Sequence, residues 1–357
     1  MSQQHADLAR DPADQTGRGQ TGPGGPAAQV PAAVPARRRT ARRYGRGFRS
    51  LTLVTLVIAY LLIVLGDTVR VTESGMGCAS WPLCNGSIGL VGTYHAMLEQ
   101  SHRYVAAVVS ILVAATFAAA WRRARRDRLV FGGAASALAL IGVQVLLGAL
   151  TVFTRNVGWT VALHLAGAWL VVAAVTVTAV ASWRAEAGAA DRPGPLARAI
   201  PSGRFGAAAP VALFVLSVSG MLVLHEGASN ACPGWPLCPG GSSAPGGLDA
   251  LQYLHRSLVL VATVVIVAAA IATWRARRAP GTDKSLAATA LVLLAATAAM
   301  GGVVATTGAP AWAQDLHLAI ASGLWITVVA MAVPARRSPE QASGQEAAAT
   351  MAESALA

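Results

Sequence analysis

The chain has 357 residues, of which 54% are hydrophobic and only 12% are charged. Soluble domains carry about 25% charged residues, so this composition excludes an ordinary soluble domain and indicates a polytopic membrane protein. The net charge of +12 at pH 7 would suit a nucleic-acid-binding protein, but the arginines concentrate in alternate connections between apolar segments. The positive-inside rule explains that pattern without an anionic partner, which argues against nucleic acid.

Residues 1–47 are polar and rich in Gly, Pro, Ala and Arg, and they are predicted to form a disordered cytoplasmic tail. A mitochondrial transit peptide is the alternative for this Arg-rich stretch, which Asp7, Asp11 and Asp14 disfavour. Eight apolar segments follow, each long enough to cross a bilayer. They are residues 50–68, 98–121, 129–152, 159–183, 207–225, 251–274, 285–306 and 312–334. The arginine bias predicts a multi-pass membrane protein with both termini in the cytoplasm.

The two halves of the chain repeat each other. A shift of 153 residues carries His102 onto His255 and His164 onto His317. An outer loop follows the first segment of each half, and both loops read Cys-x5-Cys around Trp-Pro-Leu. Each repeat contains an even number of spans, so both halves enter the membrane from the same side. The sequence therefore predicts an all-α membrane protein of two tandem four-helix bundles, related by a pseudo-two-fold axis along the membrane normal.

The repeat also predicts the domain boundaries. The N-terminal bundle spans 48–184 and the C-terminal bundle spans 205–335. Residues 185–204 form a cytoplasmic linker between them, and 336–357 form a second disordered cytoplasmic tail.

The four repeated histidines lie near the outer ends of apolar segments, where an unpartnered imidazole is costly. Imidazole is a common axial ligand of haem iron, and facing helices of a bundle can bring two imidazoles together. The four histidines therefore predict two haem-sized sites, one in each half. Interfacial histidines bonded to water or to backbone carbonyls are the alternative. Zinc is disfavoured because it requires three or four ligands at one site.

The halves differ beside the first histidine. Glu99 lies three residues before His102 and shares its helix face, whereas the repeat places Gln252 at the equivalent position. A partly dehydrated carboxyl beside a haem can relay protons or stabilise a developing charge. An acid favoured by the dipole at a helix N-terminus is the alternative.

Three arginines on the outer side are candidate contacts for haem propionates: Arg70, Arg103 and Arg256. Snorkelling of these side chains toward lipid headgroups is the alternative.

All four cysteines lie in the outer loops, where oxidation is permitted. The favoured interpretation is two structural disulfides, Cys78–Cys84 and Cys232–Cys238, that shape lids over the outer ends of the bundles. A thiol–disulfide exchange site is the alternative, because exposed disulfides in short loops can be labile.

Together these features resemble the haem A synthase family over about residues 50–335. The resemblance rests on the two four-helix repeats, the four histidines, the paired Cys-x5-Cys loops and the motif Glu99-x-x-His102-Arg103. Residues 70–75, which read Arg-Val-Thr-Glu-Ser-Gly, are similar to the family's loop after the first helix.

The resemblance implies a role for each site residue. His255 and His317 would be the axial ligands of a haem b cofactor, and His102 and His164 would hold the substrate, haem O. Glu99 would be the acid required for activity. The implied reaction oxidises the C8 methyl group of haem O to a formyl group through successive hydroxylations and loss of water. The paired cysteines resemble those of bacterial members of the family.

The implied partners are haem O, membrane lipid, haem O synthase and an electron donor, and a homo-oligomer is compatible with the sequence. Two other functions use the same residues. A transmembrane di-haem cytochrome b in quinone-linked electron transfer also needs two bis-histidine sites, although such proteins usually stack their haems across the membrane. A thiol oxidoreductase of the outer membrane face would use the cysteines instead.

Overall fold

The computed structural model describes the membrane-embedded part of the chain. The described residues are 44–78, 80–86, 88–89, 92–187, 202–232, 234–237, 247–275, 281–333 and Ser354. The predicted tails, 1–47 and 336–357, lie almost entirely outside the described residues, as does most of the predicted linker, 185–204.

The described residues form eight helices that are long and apolar enough to cross a membrane. They are α1 (Arg46–Val71), α2 (Tyr94–Ala124), α3 (Arg128–Phe153), α4 (Gly158–Ala187), α5 (Ser202–His225), α6 (Leu248–Arg275), α7 (Gly281–Thr306) and α8 (Ala311–Ala332). In a bilayer the backbone has no water to bond, so each apolar segment satisfies its own N–H and C=O groups as a helix. The predicted all-α membrane fold is confirmed.

Several helix ends extend beyond the predicted segments, and polar side chains explain two of the starts. Thr93 accepts a hydrogen bond from the backbone N–H of Ala96 at the start of α2, and Asp127 caps the first turn of α3. Asp127 also accepts a 2.6 Å hydrogen bond from the hydroxyl of Tyr44. Tyr44 is buried, so the packed residues include some that precede the predicted boundary at residue 48.

Each half is a closed ring of helix contacts. In the first half α1 packs on α2, α2 on α3, α3 on α4 and α4 on α1; α5 to α8 repeat this order. Between the halves α4 contacts α8, α1 contacts α8 and α4 contacts α5. Exchanging the halves would convert the α1–α8 contact into the α5–α4 contact, as the predicted pseudo-two-fold axis requires. The axis itself stays a prediction.

The core is continuous across the two halves. Trp169 of α4 and Trp325 of α8 pack with ring centroids 5.3 Å apart, and the Trp325 indole N–H donates a 2.9 Å hydrogen bond to the Trp169 carbonyl. Such an aromatic pair adds about 1 kcal/mol beyond the area that it buries. These contacts hold the helices of the two halves in one packed unit.

Candidate functional site

The outer loop of the first half is closed by a disulfide. Cys78 and Cys84 are bonded, with their Cα atoms 4.8 Å apart, and both side chains are buried. This confirms the first predicted bridge. Cys232 is also disulfide-bonded, but its expected partner, Cys238, lies outside the described residues, so the pairing Cys232–Cys238 stays a prediction.

Both loops are held by the arginine that follows a repeated histidine. Arg103 donates to the carbonyl oxygens of Ser80 at 2.6 Å and Pro82 at 3.2 Å. Arg256 donates to the carbonyl oxygens of Cys232 at 2.9 Å and of Pro236 at 3.2 Å. The structure thus gives both guanidinium groups a loop-anchoring contact that the sequence had not indicated.

The acid of the first half is buried beneath its loop. Glu99 is 5% exposed, accepts a 2.8 Å hydrogen bond from the backbone N–H of Cys78, and forms a 2.5 Å ion pair with Arg103. The equivalent residue of the second half, Gln252, makes different contacts: its amide donates hydrogen bonds to the carbonyls of Ala228 and Ser229. The acid–amide difference in the sequence therefore becomes a difference in how each helix is tied to its outer loop.

The four histidines form two pairs inside the two rings of helices. All four are half-buried, and each lies within about two turns of the start of its helix. His102 on α2 and His164 on α4 belong to one ring of helices, and His255 on α6 and His317 on α8 belong to the other. The pairing of these histidines as ligands stays a prediction.

Each of these imidazoles lies against a glycine on a neighbouring helix. A Cβ added to Gly66 or Gly220 would lie 3.0 or 3.1 Å from the ring of His102 or His255. Gly148 and Gly301 stand in the same relation to His164 and His317, at 3.4 and 3.2 Å. A side chain at Gly66, Gly220 or Gly301 would crowd the imidazole, whereas a Cβ at Gly148 would make an ordinary van der Waals contact with it. The sequence had matched Gly148 with Gly301, but it had not connected Gly66 and Gly220 with the histidines.

This donor set fits haem iron. A porphyrin supplies four ligands to its iron, so two imidazoles complete the coordination. Among the residues that the structure describes, no cluster of three or more His, Cys, Asp or Glu side chains could hold a metal ion. A zinc site needs three or four protein ligands, which the histidine pairs do not supply.

A comparison with known protein families identifies the family of this chain. The model of the COX15-CtaA family, described as cytochrome oxidase assembly protein, matches residues 49–94 and 90–329 of this chain. The chain belongs to the COX15-CtaA family. The match includes all eight helices, the four histidines and both outer loops.

Several relatives of this COX15-CtaA member are named heme A synthase. The protein from Symbiobacterium thermophilum is 31% identical over 292 residues, which cover 78% of this chain and 92% of that protein. The one from Shouchella clausii is 28% identical over 266 residues, which cover 73% of this chain and 88% of that protein. These matches confirm the resemblance drawn from the sequence.

A relative with a different name matches a shorter part of the chain. The protoheme IX farnesyltransferase 1 of Natronomonas pharaonis is 37% identical over 148 residues, which cover 41% of this chain and 31% of that protein.

The structure of this COX15-CtaA member also contains a buried polar bridge between α1 and α8. Asp67 is 2% exposed and pairs with Arg70 at 2.7 Å, while Arg70 also reaches the Gln314 side chain at 3.4 Å. Thr68 donates a 2.9 Å hydrogen bond to Asp315. Sequence reasoning missed Asp67 and Asp315, although a carboxyl within an apolar segment is the signal that would have found them. Arg70, predicted as a propionate contact, takes part in this bridge.

A cavity of about 590 Å³ lies at the outer rim of the first half, and Met76, Val152, Phe153 and Arg155 line it. Val152 is about one helical turn beyond Gly148, the residue against which His164 packs. The cavity therefore lies about one turn of α3 from the contact between Gly148 and His164.

Proposed function

We propose that this protein is a haem A synthase, an oxidoreductase that oxidises the C8 methyl group of haem O to a formyl group and so supplies haem A for terminal oxidase assembly. The proposal draws on membership of the COX15-CtaA family and on the relatives named heme A synthase. The observation that carries it is the presence of two imidazole pairs, only one of which lies beneath a loop held by a buried carboxylate, Glu99.

The two halves take different haems in this proposal. His255 and His317 hold a haem b cofactor, which supplies one-electron redox chemistry when it is bound. His102 and His164 hold the iron of the substrate, haem O. Haem O carries a long apolar tail, so a site between helices that opens to membrane lipid suits it. Two hydroxylations, each a two-electron oxidation for which the oxidant and the oxygen come from outside this chain, convert the C8 methyl to a geminal diol, and loss of water from it leaves the formyl group.

Glu99 is the proposed catalytic residue. Its carboxylate is fixed by the Cys78 N–H and by Arg103, and it lies about one turn from His102 on the same face of α2. A carboxylate held in one orientation in a site of low dielectric is suited to accept a proton from the substrate or to stabilise positive charge that develops there. Gln252 cannot do either, which favours placing the reaction in the first half.

The arginines complete the two proposed haem sites. Arg103 and Arg256 already bind loop carbonyls, and each guanidinium carries five donors. The proposal therefore keeps Arg70, Arg103 and Arg256 as propionate contacts at the outer ends of the bundles, where the propionates would face the loops.

The proposed setting is the bacterial cell membrane, with both termini in the cytoplasm. The proposed partners are membrane lipid, an electron donor and haem O synthase, which makes the substrate. The match to part of a protein named protoheme IX farnesyltransferase 1 supports haem O synthase as a partner.

The test is pigment extraction after co-expression with a haem O synthase. The wild-type protein should yield haem b and haem A. The double variant His102→Ala/His164→Ala should retain haem b and yield no haem A, whereas His255→Ala/His317→Ala should lose haem b. If the wild-type protein yields haem O and haem b with no formyl product, the synthase function is wrong and a di-haem cytochrome is favoured.

A further inference from the structure

The hydrogen bonds around the histidines differ between the two halves. In the second half, Ser219 of α5 lies 2.9 Å from Nδ1 of His255. The Ser219 hydroxyl donates its single proton to the carbonyl of Leu216 at 2.6 Å, so its oxygen is left to accept a proton from the histidine. This network assigns the proton of neutral His255 to Nδ1 and leaves the Nε2 lone pair for iron.

The second histidine of that half also faces an acceptor. The ring of His317 lies near the backbone carbonyl of Thr297 on α7. Its Nδ1 is buried and makes no hydrogen bond within the described residues.

The first half carries different side chains at the two equivalent positions. At the positions equivalent to Ser219 and Thr297, the repeat places Leu65 and Gln144. The Gln144 amide nitrogen donates a 2.8 Å hydrogen bond to the His164 carbonyl and lies 3.4 Å from His164 Nδ1. If the amide oxygen and nitrogen of Gln144 exchanged places, the amide oxygen would face the His164 carbonyl oxygen, and the two would repel each other. The orientation with the nitrogen toward His164 is therefore favoured. An amide nitrogen only donates, which favours the tautomer of His164 with its proton on Nε2.

At the position equivalent to Ser219 the first half carries Leu65, whose side chain has no polar atom to offer His102. The two rings also face the neighbouring helix differently. The ring atom of His102 nearest to Gly66 on α1 is Nε2, whereas the ring atom of His255 nearest to Gly220 on α5 is Cε1. Both imidazoles of the first half therefore lack the arrangement that prepares His255 to bind iron.

Hydrogen bonds to the ring nitrogen that does not bind the metal control how strongly a histidine binds it. An acceptor at Nδ1 fixes the ligating tautomer and raises the basicity of Nε2, whereas a donor at Nδ1 does the opposite. Losing such a partner typically weakens metal binding by about 10- to 100-fold.

We propose that these contacts separate a permanent haem site from an exchangeable one: Ser219 strengthens His255 as the ligand of a retained haem, and Leu65 and Gln144 keep His102 and His164 weak enough to release their haem. This inference rests on the proposed function, in which the first half must let its product leave while the second half keeps its cofactor. Ser219 and Gln144 are positioning residues that act through the histidines.

The first experiment measures how the second half retains its haem. Purified protein is incubated with excess apomyoglobin as a haem acceptor, and the midpoint potential of the retained haem is measured by redox titration. Ser219→Ala should release haem b about tenfold faster and raise its potential, since the imidazole donates less to ferric iron. Ser219→Thr should restore both values. Ser217→Ala is the matched control, because Ser217 bonds only the Leu213 carbonyl of its own helix in the described structure. Wild-type release and potential in Ser219→Ala would overturn the inference.

The second experiment strengthens the ligands of the first half. Gln144→Glu supplies an acceptor at His164, and Leu65→Ser supplies a hydroxyl at the position equivalent to Ser219. Each should slow transfer of bound haem O to apomyoglobin by about tenfold, with haem b content and potential unchanged as the test of folding. Gln144→Leu removes the donor without supplying an acceptor, so it should slow haem O transfer less than Gln144→Glu does. Unchanged haem O release in all three variants would overturn the inference. Neither experiment needs a formyl product. Failure of haem O conversion would contradict the proposed function, whereas failure of the haem release measurements would contradict this inference.

Discussion

Glu99 accepts a 2.8 Å hydrogen bond from the backbone N–H of Cys78, whose sulfur closes the outer loop of the first half. Arg103 joins the same arrangement, because it bonds both Glu99 and two carbonyls of that loop. The disulfide, the loop and the carboxylate of Glu99 are therefore joined in one bonded network. In the second half Gln252 bonds a different segment, so the coupling belongs to the first half alone among the described contacts.

Glu99→Gln should reduce haem A formation by about 100-fold or more while haem content stays unchanged. The amide keeps the shape of the side chain and can still accept from the Cys78 N–H, but it loses the charge that pairs with Arg103. Quantified haem A per haem b, after pigment extraction, measures the effect. Asp249→Asn is the control for loss of an acid near the start of the equivalent helix. Undiminished turnover in Glu99→Gln would leave Glu99 with a loop-anchoring role only.

Replacing all four cysteines with serine should lower haem A formation without abolishing it. The loops lose their cross-links, which costs about 2 kcal/mol of unfolding free energy for each short loop, but Arg103 and Arg256 still bind loop carbonyls. The pair Cys78→Ser/Cys84→Ser should lower turnover more than Cys232→Ser/Cys238→Ser, since only the first loop holds Glu99. Complete loss of activity with intact haem binding would favour thiol chemistry.

Gly220→Val should lower the haem b content of the purified protein. An added Cβ would already lie 3.1 Å from the His255 ring, and the two methyl groups of valine would push the imidazole away from α5. Gly142→Val is the control, because a Cβ at Gly142 meets open space. The pyridine haemochrome spectrum measures the difference. Equal haem b in the two variants would show that close packing against α5 does not position His255.

Arg70→Leu should destabilise the protein by about 3 kcal/mol, because it leaves the buried carboxylate of Asp67 without its ion-pair partner. The double variant Arg70→Leu/Asp67→Leu should recover most of the lost stability, because it no longer contains the unpaired buried carboxylate of Asp67. Thermal unfolding in detergent gives the comparison. A double variant as unstable as Arg70→Leu would mean that Arg70 acts through Gln314 and the α1–α8 contact instead.

The membrane fold was predictable because the information that sets it is local. An apolar run in a bilayer has to become a helix, and the arginine bias marks its ends, so all eight predicted segments coincide with helices. The repeat then paired His102 with His164 and His255 with His317 without any knowledge of packing. Tyr44 shows the limit of such patterns, because its burial depends on Asp127, which lies far away in the sequence.

By itself, then, the sequence determined the membrane class, the duplicated helices, the paired imidazoles and the asymmetry between Glu99 and Gln252. Only the tertiary structure decided that Arg103 clamps a loop, that Asp67 lies in a bridge between α1 and α8, and that Ser219 and Gln144 face histidines. The physical reason is the rotation of each helix about its own axis. That rotation is set by packing against helices distant in sequence, and it selects which neighbour each polar side chain meets.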